Sequence, residues 1–170
     1  MSSDVLRGFG GRVASAEFRR ACGRFATGVT IATVLDAQGT PRGLTVSSFA
    51  SVSLDPPLIL ICLGHRVSVI DAFRASAHFG INVLGEDQRH LSERFTRKGL
   101  DRFNGLKWRR GKTGVPVLAD VLASMECAVR QRFMAGDHDI FVGEMVSARV
   151  ARGAPLIHFA SHYRRLDVSC

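Results

Sequence analysis

Two stretches toward the C-terminal end constrain this 170-residue chain most. From Ala123 onward apolar and polar side chains alternate, with Met125, Cys127, Val129 and Phe133 falling on one face and Glu126, Arg130 and Arg132 on the other. Asp139 to Val150 repeats the alternation after a turn at Gly136-Asp137-His138. A period of two sends neighbouring side chains to opposite faces of an extended chain, so these stretches form a half-exposed antiparallel hairpin rather than helices.

The rest of the pattern agrees with a β fold. Val29 to Leu35 is β-branched and apolar, Asp36-Ala37-Gln38-Gly39 reads as a turn, and Leu44 to Ser53 reads as the second strand of a hairpin. Asp55-Pro56-Pro57 ends that pairing because proline lacks the N–H a ladder needs. The apolar run Leu58 to Leu63 predicts a strand buried on both faces, with further strands at His78 to Leu84 and Pro155 to Ala160. Helices are expected from Ser15, as cap, to Thr27, with Phe18, Ala21, Cys22 and Phe25 along one face, and over Ser68 to Ala75 and Asp87 to Thr96. Arg97 to Lys112 is polar and glycine-bearing, a long loop anchored by Phe103 and Trp108 of the kind that often serves as a lid. Six or seven strands, few helices and no βαβ rhythm predict a mainly β fold, a closed antiparallel barrel with peripheral helices.

Length suits one domain with a sizeable core. Hydrophobic residues make up 46% and no apolar run approaches a membrane span, nor does MSSDVLRGFGGRVAS carry a secretory core, so residues 1–14 read as a flexible leader on a cytoplasmic protein, away from membranes. Cys22, Cys62, Cys127 and Cys170 lack paired spacing and are expected as buried thiols, with neither a disulfide framework nor a metal site. The net charge of +8 raises a nucleic-acid reading, yet the arginines are scattered and no basic run or recognition helix emerges. A solvated basic surface, or attraction of anionic small molecules, accounts for them.

Between Pro41 and Leu58 lie five small hydroxyl side chains, Thr45, Ser47, Ser48, Ser51 and Ser53, in a run that otherwise reads as strand. Such a row predicts a flat polar partner lying against it. Neither a dinucleotide fingerprint nor a phosphate-binding P-loop is present, and hydrolase motifs are missing.

Phe25-Ala26-Thr27-Gly28-Val29-Thr30, then Thr45-Val46-Ser47-Ser48-Phe49-Ala50-Ser51-Val52-Ser53-Leu54-Asp55-Pro56-Pro57-Leu58, Asn82-Val83-Leu84, Ala135-Gly136-Asp137-His138 and Pro155-Leu156 to Tyr163 follow in order. In this the chain resembles the short-chain flavin reductases, reductase components of two-component flavin-dependent monooxygenases, from Phe18 to Leu166. The resemblance implies a flavin reductase-like domain over residues 15–166 with a tail at 167–170, folded as a split antiparallel β-barrel of FMN-binding type. It further implies a homodimer that binds FMN or FAD, takes a hydride from NADH or NADPH, and hands reduced flavin to a separate monooxygenase, with no nucleic-acid partner.

The resemblance places the flavin on Thr45, Val46, Ser47, Ser48, Phe49, Ser51 and Val52, where hydroxyls and backbone amides can serve both donors and acceptors of an isoalloxazine edge. Arg66, Val67 and Ser68 lie before a short helix and are assigned the flavin phosphate. Asn82 is polar inside an apolar strand and either reaches the flavin or satisfies neighbouring backbone. The family's nicotinamide residues correspond to His138 and Tyr163. No side chain is expected to act as acid or base, since the flavin N5 itself accepts the hydride. Two other classes stay open: a flavin-binding redox sensor or carrier on the same barrel, and a basic nucleic-acid-binding barrel with salt-dependent affinity.

Overall fold

The structure is a computed structural model that describes residues 13–166. Most of the expected leader, the tail at 167–170 and Cys170 lie outside the described residues. The chain runs α1 (Ser15–Cys22), β1 (Thr27–Gly28), β2 (Thr30–Leu35), β3 (Pro41–Val46), β4 (Ala50–Leu54), β5 (Pro57–Gly64), α2 (Ile70–Ala75) and β6 (His78–Val83). It continues through α3 (Arg89–Thr96), β7 (Trp108–Arg110), β8 (Pro116–Leu118), β9 (Ala123–Ala135), β10 (His138–Val150), β11 (Ile157–Phe159) and β12 (His162–Arg164).

Seven strands build one antiparallel sheet in the order β3-β2-β6-β9-β10-β5-β4. Its two edge strands, β3 and β4, are consecutive in the chain, so residues 47–49 carry the backbone from one edge to the other and the sheet curls on itself. The Ser48 hydroxyl fastens this crossing, donating to the Cys62 carbonyl at 2.9 Å and accepting the Cys62 N–H at 3.0 Å. This is the split barrel with peripheral helices. Inside the curl pack Ile61, Leu63, Phe73, Phe79, Ile81 and Phe141. Gly143 marks an irregularity in the β9–β10 ladder, where a Cβ would stand 2.5 Å from the Phe79 ring. A second core joins Ile31, Leu84, Leu91 and Phe95 to Phe103 and Leu118. There the expected loop anchors stack edge to face, Phe95 on Phe103 at 5.1 Å and Phe103 on Trp108 at 5.9 Å.

Several expectations need correction. Leu44 to Ser53 is not one strand; it breaks at residues 47–49, and β4 pairs with β5 instead of β2. β5 is not buried on both faces: Ile59, Ile61 and Leu63 point into the core while Leu58, Leu60 and Cys62 are half-buried, because one neighbour is the exposed edge strand β4. The first helix stops at Cys22, where tight turns end it and Thr27 is drawn into pairing with His158. Its cap position is Ala14 rather than Ser15, and Phe18, Cys22 and Phe25 are exposed. Cys62 is half-buried, and among the described cysteines only Cys127 is fully enclosed, burial pushing its thiol up to about 12. In β9, Glu126 is buried because the segment at Lys112 and Thr113 covers it and bonds to its carboxylate, and Phe133 is half-exposed because it lies on the strand's exposed last residues; neither was expected.

Candidate functional site

β3 and the segment after β5 run side by side and leave a shallow hollow of about 280 Å³ between them. Six of the expected site residues line it: Thr45, Val46, Ser47, Ser48, Val67 and His138. Cys62 and Gly64, which the sequence did not single out, complete the wall. Their signal lay in register: the alternation that buries Leu63 turns Cys62 outward, and Gly64 pairs with His138 across the β5–β10 ladder. A Cβ at Gly64 would stand 3.4 Å from His138 Nε2, so glycine keeps that imidazole edge open to the hollow.

Not all hydroxyls in the row face a ligand. Thr45 donates to the Ser92 carbonyl at 2.7 Å and Ser48 is bound to Cys62, whereas Ser47 is exposed. Because residues 47–49 cross between sheet edges, they form no backbone–backbone hydrogen bond among the described residues. Their N–H and C=O groups therefore remain available to a ligand or to water. A planar heterocycle with donors and acceptors along one edge fits this wall. Phe49 is half-buried against the core, while Ser51 and Val52 lie exposed on β4 outside the hollow.

His138 is held from behind. Its Nδ1 lies 2.8 Å from Asp137 Oδ1, and the ring beside Asp137 holds that carboxyl below its ordinary value. The Asp137 carbonyl accepts the N–H of His65, tying the His138 turn to the segment that follows β5. One residue on, buried Asp139 accepts from Arg74 Nε at 2.7 Å and meets His65 Nε2 at 3.0 Å. The Arg74 guanidinium, then His65, outweigh burial and keep the Asp139 carboxyl low. This His65–Asp139–Arg74 cluster was not legible in the sequence, since its members come from three separate elements.

Arg66 and Ser68 are both exposed before α2, and of this segment only Val67 lines the hollow. α2 begins only at Ile70. Asn82 lies elsewhere: it is fully buried, donating to the Ile31 carbonyl at 3.1 Å and accepting the Leu118 N–H at 2.9 Å. Of its two possible roles the structure shows the backbone-satisfying one, and no face of it is left for a flavin. Tyr163 does not line the hollow either; its hydroxyl shares a 2.8 Å hydrogen bond with Ser92, the residue whose carbonyl holds Thr45. The Arg89 guanidinium covers its ring at 5.1 Å. None of the described helices is long and apolar enough to cross a membrane.

Comparison with known proteins follows this geometry. The family described as flavin reductase like domain matches residues 22–167. The chain is 48% identical over 153 residues to the FMN reductase (NADH) SmoA of Agrobacterium fabrum, covering 90% of this chain and 87% of that protein. It is 45% identical over 129 residues to the protein named Probable flavin reductase of Rhizobium meliloti, covering 76% of this chain but only 42% of that longer relative. Among solved structures, the Streptomyces globisporus NADH:FAD oxidoreductase SgcE6, in complex with NAD and FAD fragments, is similar with a TM-score of 0.85 at 35% identity, covering 91% of this chain and 94% of that one.

Proposed function

Because this chain belongs to the flavin reductase like domain family, we propose that it is an NAD(P)H:flavin oxidoreductase that reduces FMN or FAD and supplies the reduced flavin to a partner monooxygenase. The observation that carries the reading is the hollow in which unpaired backbone at residues 47–49, exposed Ser47 and the edge of His138 face one another. A bound flavin supplies the electrophilic N5 that receives the hydride. The chain's own residues bind and orient. Ser47 and the neighbouring amides hold the ring's polar edge, Arg66 and Ser68 meet the phosphate, and Val67 stands beside the ring. His138, braced by Asp137, positions the nicotinamide and stabilises charge gained on reduction. Tyr163 acts on the site at one remove, through Ser92 and Thr45. The hollow is open to solvent, which suits a flavin that is released as product.

Residues 15–166 form the reductase domain on this reading, and the protein is cytoplasmic, away from membranes and nucleic acid. It works as a homodimer. Phe133 and Met134 sit on the part of β9 that runs past the barrel with every residue exposed, and Val52 and Leu54 are exposed on edge strand β4. Apolar side chains so placed call for a partner surface.

The test is anaerobic mixing of the protein with NADH or NADPH and, separately, FMN or FAD, following loss of the oxidised flavin's visible absorbance. Rapid bleaching with at least one pair is expected. Flavin binding without bleaching in any pair would leave a carrier or sensor.

A further inference from the structure

Asp139 is a buried carboxylate to which the function proposed above gives no task. It follows His138 in β10, and because neighbours in a strand face opposite ways, its side chain lies behind the face on which His138 meets the hollow. It is 4% exposed. Both oxygens are engaged, Oδ1 accepting from His65 Nε2 at 3.0 Å and Oδ2 from Arg74 Nε at 2.7 Å. A carboxylate only accepts, so Nε2 is the nitrogen of His65 that carries the proton.

The two donors bracket one wall of the hollow. His65 stands between Gly64 and Val67, which both line it, and Arg74 lies in the last turn of α2, the helix into which this segment runs. Within the segment the Val67 N–H donates to the Gly64 carbonyl and the Ile70 N–H to the Val67 carbonyl, both at 3.2 Å, so its position is set by its two ends. His65 is held a second time, its N–H donating to the Asp137 carbonyl at 2.9 Å. Residues 137–139 thus grip the start of the segment through a carbonyl and a carboxylate, and its far end through the same carboxylate.

Folding alone does not ask for this arrangement. α2 is already seated by Ile70 and Phe73, both buried, with Phe73 edge to face on Phe141 at 6.1 Å. A buried carboxylate costs desolvation, and a well-packed apolar side chain in such a place is often neutral or stabilising. What the carboxylate adds is direction. Apolar contact is non-directional, whereas two charge-assisted hydrogen bonds from one rigid group fix where each donor stands.

We propose that Asp139 is a positioning residue of the reductase: by holding His65 and Arg74 it fixes the segment that carries Val67 against the turn that presents His138. The inference rests on the flavin-reductase reading. The step it serves passes a hydride, a proton with two electrons, from the dihydronicotinamide, which is oxidised, to the flavin, which is reduced. Asp139 touches neither reactant. It sets the spacing of the walls that hold them, and a transfer between two bound rings depends steeply on that spacing.

The test compares the wild type with Asp139→Leu, Asp139→Asn and His65→Ala, the last leaving the Arg74 pair in place; urea unfolding checks that each folds. Amide hydrogen exchange of the ligand-free proteins is read first. Asp139→Leu and His65→Ala should exchange faster over residues 64–70 while β2, β6 and β9 keep their protection. Anaerobic stopped-flow bleaching of FMN at saturating NADH or NADPH then gives the transfer rate, and quenching of flavin fluorescence the FMN affinity. In both variants the rate should fall by about tenfold to 100-fold, the latter being what a misplacement of about 1 Å costs. FMN affinity and the KM for the nucleotide should stay within about threefold of wild type. Asp139→Asn keeps the shape, an acceptor for Arg74 and an N–H for His65 in its other tautomer, and should recover most of the rate. Wild-type exchange and transfer in Asp139→Leu, whatever its stability, would reduce the cluster to a fold-stabilising one and overturn the proposal. So would an Asp139→Asn protein as slow as Asp139→Leu, since charge and not placement would then matter, or a loss confined to FMN affinity. Should Asp139→Leu not fold, His65→Ala decides by the same readouts. A wild type that bleaches flavin with neither nucleotide would instead remove the reductase reading beneath the proposal, while hydrogen exchange would still show whether Asp139 holds the segment.

Discussion

Asn82 commits its whole amide group to the fold. It reaches Ile31, 51 residues earlier, and Leu118, 36 residues later, and thereby joins β2, β6 and β8. Truncation strands a buried carbonyl and a buried N–H, so Asn82→Ala is expected to cost about 2–3 kcal/mol in urea unfolding. FMN affinity of the folded protein should not change; weakened flavin binding at unchanged stability would return Asn82 to the cofactor set. An asparagine inside an apolar strand announces only that it needs partners. Which partners it has depends on residues far along the chain, which is why its two roles could not be separated by reading alone. Ser48 is similar: the hydroxyl row was plain, but its attachment to Cys62 appears only when β5 is in place.

Elements were legible where their patterning is local and misread where pairing decides. The hairpin of β9 and β10 follows from alternation, and its turn falls between Ala135 and His138 as expected. The break at residues 47–49 left no mark in the run from Leu44 to Ser53, because residues on both sides favour extended backbone and only the sheet's closure separates them. Glu126 was likewise misread as a solvent-facing member of β9. It is 4% exposed and holds the segment before β8, accepting from the N–H of Lys112 at 3.0 Å, the N–H of Thr113 at 2.7 Å and the Thr113 hydroxyl at 2.8 Å. A Cβ on Gly111 would collide with this carboxylate at 2.4 Å. Burial opposes the charge, but the Thr113 and Lys112 donors outweigh it and set the Glu126 carboxyl below its ordinary value. A carboxyl whose folded value is depressed adds stability above its unfolded value, about 4.3, and that stability is lost as pH falls through the folded value. Glu126→Gln should therefore cost about 1–3 kcal/mol at pH 7, from hydrogen bonds weakened or left unmade. The loss should shrink progressively below about pH 4, where urea midpoints of the two proteins converge; a constant difference across that range would show that the charge contributes nothing.

At the scale of the whole molecule, the proposed homodimer is open to direct test. On the proposed homodimer, Met134, 81% exposed at the end of the hairpin, is a contact residue, and Met134→Asp should weaken association at least about tenfold by analytical ultracentrifugation. A wild-type protein that sediments as a monomer at micromolar concentration would remove the dimer and the role given to these side chains. Local order in the residues was enough for an antiparallel β class, the strand-bearing segments, the anchoring aromatics Phe103 and Trp108, and the resemblance that names the family. Alternation, turn chemistry and ordered motifs are carried by neighbours in the chain. Closure of the sheet through residues 47–49, the burial of Asn82 and Glu126 and the separation of Tyr163 from the hollow depend on contacts between segments tens of residues apart. Those contacts exist only once the sheet has curled and its edge strands have met.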